Sequence, residues 1–529
     1  MKKIIIALIL FSTFLFAQEG NENQNIELPE FVITGVRKIS IPAAKKKLPG
    51  LITPLSKKFF LPTYTQNDFN PASFTKIYSG NLKLINYKVE NYGLIRGRIG
   101  SVTLPEGEFY FGKTLGGILL NSQITGKKER EFVTGGGYNY LKLTLGAKYF
   151  IDHNSSFLPG LGIAVDGNYK TDSYKLYGSG NPSFLRKTNT GNFSVSLFNY
   201  FTNINYGLKF NDNYLKLKEN NLTENSLSFS AFTNIPVYPF TFEAKFNLIN
   251  QNLNKNNSNK FNKNYIDLNA GVKTQITKNA IVAGGIFYSS GAENNFLSVK
   301  ASLLMKLTKN ISLFALFNPH SKFLTIGNFL KQNRFYELQN TDNMFVKYKN
   351  NIKAELKYGY YEYFEIGIGA GYSRIDNLPY FVRKVNSGNL ALFGADGVDN
   401  YFVNVDLLFH KTLGGKFYGF LKYQNLTNGE GKRVPYYPEF DITLNYLYSF
   451  TSKIDLKMKL KYLTGLYTDE ENKNRLPDYI NISAYLGYKL ANNLKATLSL
   501  ENLINRKNYF YEGYRSKTFD LSFGIEYRW

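Results

Sequence analysis

From about residue 78 to its C-terminus the chain repeats one pattern, short runs in which apolar and polar side chains alternate, each run closed by a turn. In 264–276, Ile266, Leu268, Ala270 and Val272 fall on one face, and Asp267, Asn269, Lys273 and Gln275 on the other. In 454–464 the apolar face is Ile454, Leu456, Met458, Leu460 and Tyr462, opposite Asp455, Lys457, Lys459 and Lys461. A period of two sorts side chains to opposite faces of a sheet, which a helix of period 3.6 cannot do. The pattern predicts strands near 78–90, 92–104, 107–123, 137–152, 162–177, 190–200, 204–217, 225–235, 240–252, 264–276 and 280–289. It continues with 296–307, 311–321, 350–359, 364–375, 400–413, 416–426, 439–450, 454–464, 479–490, 494–504 and 518–529. That makes about 22 strands, an even number that puts both ends of a closed sheet on one side.

Alternation alone fits a soluble sandwich as well, so the connections decide. From the third strand on they alternate short and long. The short set includes Thr277-Lys278-Asn279, Thr308-Lys309-Asn310, Thr451-Ser452-Lys453 and Ala491-Asn492-Asn493; the long set includes 322–349, 376–399, 427–438, 465–478 and 505–517. Tight periplasmic turns and longer external loops are the habit of a transmembrane antiparallel β-barrel. The last strand adds a signal of its own. Phe519, Leu521, Phe523, Ile525, Tyr527 and Trp529 alternate with polar residues and the chain stops on the aromatic. Ser522, Gly524, Tyr527 and Trp529 resemble the C-terminal sorting signal that the outer-membrane barrel assembly machinery reads by strand addition.

The N-terminus changes the picture by adding export. Met1-Lys2-Lys3, the apolar run 4–16 and Ala17 read as a signal peptide over 1–17, too short to span as a helix. No second long apolar run follows, and mean hydropathy is −0.28, which excludes a helical membrane protein but not a barrel. Forty-four Phe and 41 Tyr suit strands and interface girdles. Cysteine is absent, so stability after export comes from the closed sheet rather than from disulfides. The net charge of +24 suggests nucleic acid, but no recognition motif accompanies it, and lysine is spread evenly among Asn, Ile, Phe and Tyr. The expected surroundings are outer-membrane lipid, not nucleic acid.

Two stretches carry a family likeness. Residues 498–509, Leu-Ser-Leu-Glu-Asn-Leu-Ile-Asn-Arg-Lys-Asn-Tyr, followed by Tyr511-Glu512-Gly513-Tyr514 and the final strand, resemble the end of TonB-dependent receptor barrels. Leu28-Pro29-Glu30-Phe31-Val32-Ile33-Thr34-Gly35 is similar to the segment around the TonB box of those receptors. The resemblance implies a 22-strand barrel, and makes Leu28 to Gly35 a strand that a TonB-like or other periplasmic protein would capture; a linker is the alternative. It departs in one respect. The family's globular plug has no room in 36–77, so 18–77 is expected to be a short extended periplasmic segment, followed by the barrel over 78–529 and no plug domain.

Chemistry is sparse. Gly107 to Thr114 spells G-x-x-x-x-G-K-T, but its interior is Glu-Phe-Tyr-Phe and a strand-like run follows, so it is not read as a phosphate loop. Gly367, Gly369 and Gly371 thin one face of a strand. His153, His320 and His410 stand apart, with no ligand-spaced cluster, so neither metal, cofactor nor enzyme activity is expected. What remains is charge. The polar faces carry Lys142, Lys148, Lys245, Lys273, Lys300, Lys306, Lys353, Lys357, Lys457, Lys459 and Lys461, which a barrel must turn inward. The expected function is therefore an outer-membrane channel or transport component with a basic lumen; the alternative is a non-transporting scaffold or assembly component.

Overall fold

The computed structural model describes residues 92–529 except 153–154, 156–157, 200–203, 220, 256–258, 292–293, 339–343, 361–362, 385–386 and 413–414. The signal segment, Leu28 to Gly35 and the strand expected over 78–90 lie outside the described residues. Within them the chain forms a closed antiparallel barrel of 22 strands, each paired with its neighbour in sequence. The ring closes where Gly93–Gly100 pairs with Asp520–Arg528, from Leu94 opposite Arg528 to Gly100 opposite Ser522. A closed ring leaves no strand edge unpaired, which is what a sheet in hydrocarbon requires. The seam lies between the first and last strands, so the end carrying Gly93 and Trp529 is the periplasmic one.

The number of strands agrees with the expectation, but its composition differs. The ring closes without 78–90, and the single strand expected over 107–123 is two, Thr103–Leu115 and Ile118–Glu129. They meet at Gly116-Gly117, both with positive φ, a two-residue turn open to glycine that an apolar run on either side concealed. The regular short and long alternation also holds only in part. Connections after residue 324 on the external side are long, whereas those at 101–102, 218–221, 256–258 and 292–293 are short, and the periplasmic connection 151–161 is long.

One face of every strand is apolar and bare. Leu297 is 71% exposed and Val299 62%, with Ile95, Ile99, Leu141, Phe523 and Ile525 also exposed. Such a belt around a closed barrel is stable only against lipid, and the protein resides in a bacterial outer membrane. The opposite face points inward, as one cluster demonstrates: Leu217, Leu222 and Leu253 from neighbouring strands pack with Phe381, Leu390 and Tyr514 from connections on the other side of the ring. Residues so far apart around a closed wall meet only inside it.

Candidate functional site

The inner wall is polar and ion-paired. All 11 lysines singled out from the sequence fall at register positions of this face: Lys142 stands opposite Lys170, and Lys459 between Asn445 and Ser483. Lys353 and Lys357 both reach the buried Glu355, at 2.6 and 3.0 Å. Lys273 lies 4.0 Å from Glu243, and Lys461 pairs with Asp441. Lys300 sits 4.6 Å over the Phe287 ring and Lys457 5.5 Å over Tyr485. Lys148, Lys245 and Lys306 occupy inward positions opposite Ala164, Asn269 and Ser312. The strand Phe364–Asp376 shows why two of its three alternate glycines are there. Asn404 and Phe402 occupy the space a Cβ would need at Gly369 and Gly371, whereas a Cβ at Gly367 would meet only ordinary contacts. Gly107 to Thr114 lies within a strand paired on both sides, far from any helix. His320 stacks on Tyr348 at 4.6 Å.

The seam holds a network that sequence reading missed. Arg96 bonds Glu108, Arg98 bonds Glu106 at 2.5 Å, and Lys127 bonds Glu129 at 2.7 Å. Lys517 joins Glu501 and Asp520. Asp520 then accepts from the Val102 amide and the Thr103 hydroxyl, locking the first hairpin to the last strand. Half of this was available in the sequence. Arg96 and Arg98 followed by Glu106 and Glu108 are what a tight antiparallel turn brings face to face. Of the sorting-signal residues, Ser522 and Gly524 face inward; Tyr527 and Trp529 face lipid, stacked at 5.9 Å, with the indole lying over Gly93.

At the external mouth the described loop residues pack together into a cap. After the wall strand that ends in His320–Leu324, a helix (α1, Ile326–Gln332) begins at Thr325 with a capping box to Asn328. Its first amides, Ile326 and Gly327, donate to Glu224 of the wall, at 2.9 and 2.8 Å. A carboxylate at a helix N-terminus satisfies donors that would otherwise be orphaned. Arg186, buried in the wall, donates to the carbonyls of Arg334 and Tyr336, and the Tyr174 hydroxyl also donates to Arg334. A hairpin of Leu378–Arg383 and Leu390–Ala395 meets this loop through Glu337 N to Leu390 O at 2.6 Å. Arg383 bridges to Glu512 and to the Gly178 carbonyl, and Tyr511 donates to Gln332. Connections from strands all round the ring thus interlock above the lumen. Burial pushes the Tyr514 hydroxyl up to about 12 and raises Tyr436 and Tyr511 too, so these phenols stay neutral at physiological pH. The sequence analysis placed 322–349 among the long loops, and neither α1 nor its partners on the wall were read from it.

Among the described residues no group of His, Cys, Asp or Glu is arranged to hold a metal. No protein-family model matches the chain, and no curated protein matches it in sequence. Solved structures do match it. The ferric-catecholate import receptor Fiu of E. coli superposes with a TM-score of 0.63 at 13% identity, over 83% of this chain and 82% of the receptor. The siderophore receptor PirA of Acinetobacter baumannii gives 0.64 at 9% identity, over 84% and 82%. The ferric enterobactin receptor PfeA of Pseudomonas aeruginosa, solved with enterobactin, gives 0.64 at 11% identity, again over 84% and 82%. Identities this low make the likeness one of fold alone. In architecture the chain is a 22-strand barrel with the fold of these siderophore-receptor structures.

Proposed function

We propose that the protein is a transport component of the outer membrane, a channel whose external mouth is gated by its own loops and whose basic wall favours anions. The cap carries this reading. A barrel of receptor size with a polar, ion-paired wall is fit to hold water, and loops anchored through Arg186 and Glu224 stand across its mouth. The inward lysines together with the net charge of +24 supply the sign of the field. Solved structures of the same fold named as siderophore receptors support a solute-handling role. On this reading the segment 36–77 is an extended periplasmic stretch rather than a globular plug. On the periplasmic side Leu28 to Gly35 would add as a strand to a TonB-like or other periplasmic protein, and the assembly machinery would read Ser522, Gly524, Tyr527 and Trp529.

The cap also favours a second reading, a scaffold that passes nothing. Planar-bilayer recording separates the two. The intact protein should show little conductance, and a variant lacking 326–338 should show large steps with anion preference that weakens as salt screens the wall. Silence from both proteins would leave the scaffold; cation preference would refute the basic lumen.

A further inference from the structure

Arg186 is 2% exposed, and what it touches does not balance its charge. Its Nη1 donates to two backbone carbonyls, Arg334 at 3.0 Å and Tyr336 at 2.9 Å, while its Nε–H is buried without an acceptor. Carbonyl dipoles solvate a guanidinium but do not neutralise it, and a buried charge without a counter-charge is strongly unfavourable. The nearby carboxylates are engaged elsewhere: Asp172 pairs with Lys170 at 2.5 Å, and Glu224 holds the amides of α1. Asp172 and Glu337 each keep one buried oxygen without a hydrogen-bond donor and would oppose an anion here.

Two further arginines stand at the same junction. Arg334 lies over the rings of Tyr138, Phe335 and Tyr174 at 4.3, 4.8 and 5.2 Å, and Tyr174 is the strand partner of Arg186. Arg515 gives its carbonyl to the Tyr177 hydroxyl at 2.6 Å and leaves its own Nε–H buried without an acceptor. The Tyr177 ring is 5.8 Å from Phe335. In the same layer the hydroxyls of Thr188 and Tyr336 are buried and unbonded within the protein. Two guanidinium Nε–H donors, on Arg186 and Arg515, are therefore buried without acceptors in the region where the wall, the loop after α1 and the last external loop meet.

We propose that this junction binds one small tetrahedral oxyanion, of the phosphate or sulfate class, on the free Nε side of Arg186 with Arg334 and Arg515 around it. The Nε side of a guanidinium fork presents parallel N–H groups that match two oxygens of such an ion. The site lies inside the ring, so a lipid headgroup of the surrounding leaflet cannot reach it. A bound oxyanion ties three separate pieces of chain together and thereby holds the cap down. The proposal does not rest on transport: a scaffold would keep the same site.

The test uses full-length protein in phosphate-free detergent, titrated with inorganic phosphate by calorimetry at fixed ionic strength, with hydrogen exchange of 326–338 followed in parallel. One saturable site, displaced by sulfate and not by chloride, is expected, with slower exchange in the cap on binding. Arg334→Gln, in the loop after α1, and Arg186→Gln, in the wall, should each weaken binding at least tenfold, while Lys457→Gln should not change it. Absence of saturable binding would show that ordered water alone fills the junction and overturn the proposal. Equal loss on Lys457→Gln would also overturn it, by making the binding a property of the whole lumen.

Discussion

At the seam a missing side chain matters as much as a present one. The Trp529 indole rests where a Cβ on Gly93 would be, and Phe232 covers Gly207 on the inner wall in the same manner. An aromatic ring laid over glycine restores the packing that the glycine gives up. Gly93→Val is therefore expected to expel the indole and cost about 1–3 kcal/mol by overpacking. The measurement is the urea midpoint of the barrel read on unboiled gels, with Gly97→Val as the control, since a Cβ at Gly97 meets nothing. Equal shifts for the two variants would show that the indole contact is not the cause. The terminal aromatic was legible from alternation. Its glycine was not, because the two stand at opposite ends of the chain and no local pattern joins them.

Among the elements, the strands were legible and the cap was not, for one physical reason. A strand facing lipid on one side and water on the other writes its environment in every second residue. A cap is held by long-range contacts, and α1 spans fewer than two and a half turns, too short for a helical period to show. Its stability comes from Glu224, which lies on a strand more than a hundred residues away. Glu224→Ala should leave the amides of Ile326 and Gly327 and the side chain of Gln251 without their acceptor, at about 1–3 kcal/mol of local stability. Hydrogen exchange over 326–332 should quicken while the wall strands keep their protection. Unchanged exchange would mean that the aromatic cluster alone holds α1 in place. The division of 107–123 into two strands belongs to the same lesson: Gly116-Gly117 was readable as a turn only after the register of Arg96 and Arg98 with Glu108 and Glu106 was known.

For the whole molecule, closure and address are the legible properties, and the passage of solute is not, since that depends on where loops from distant parts of the ring come to rest. The mature protein should fractionate with the outer membrane and run faster unboiled than boiled. If the proposed sorting role holds, deleting Trp529 or introducing Tyr527→Asp should reduce the fast-running form severalfold. Wild-type levels of that form in both variants would refute the sorting role. The seam has a consequence for truncated chains. Because Gly93–Gly100 finds its second partner in Asp520–Arg528, the ring is complete only when both strands are present, and a chain lacking 520–528 carries two bare edges. Hairpins added in order bring the ends together, so the final pairing needs no search along the whole chain. Loss of 520–528 alone therefore opens the ring as surely as loss of a larger piece, and a closed barrel differs from an unfinished one in a single property, whether an edge is still free.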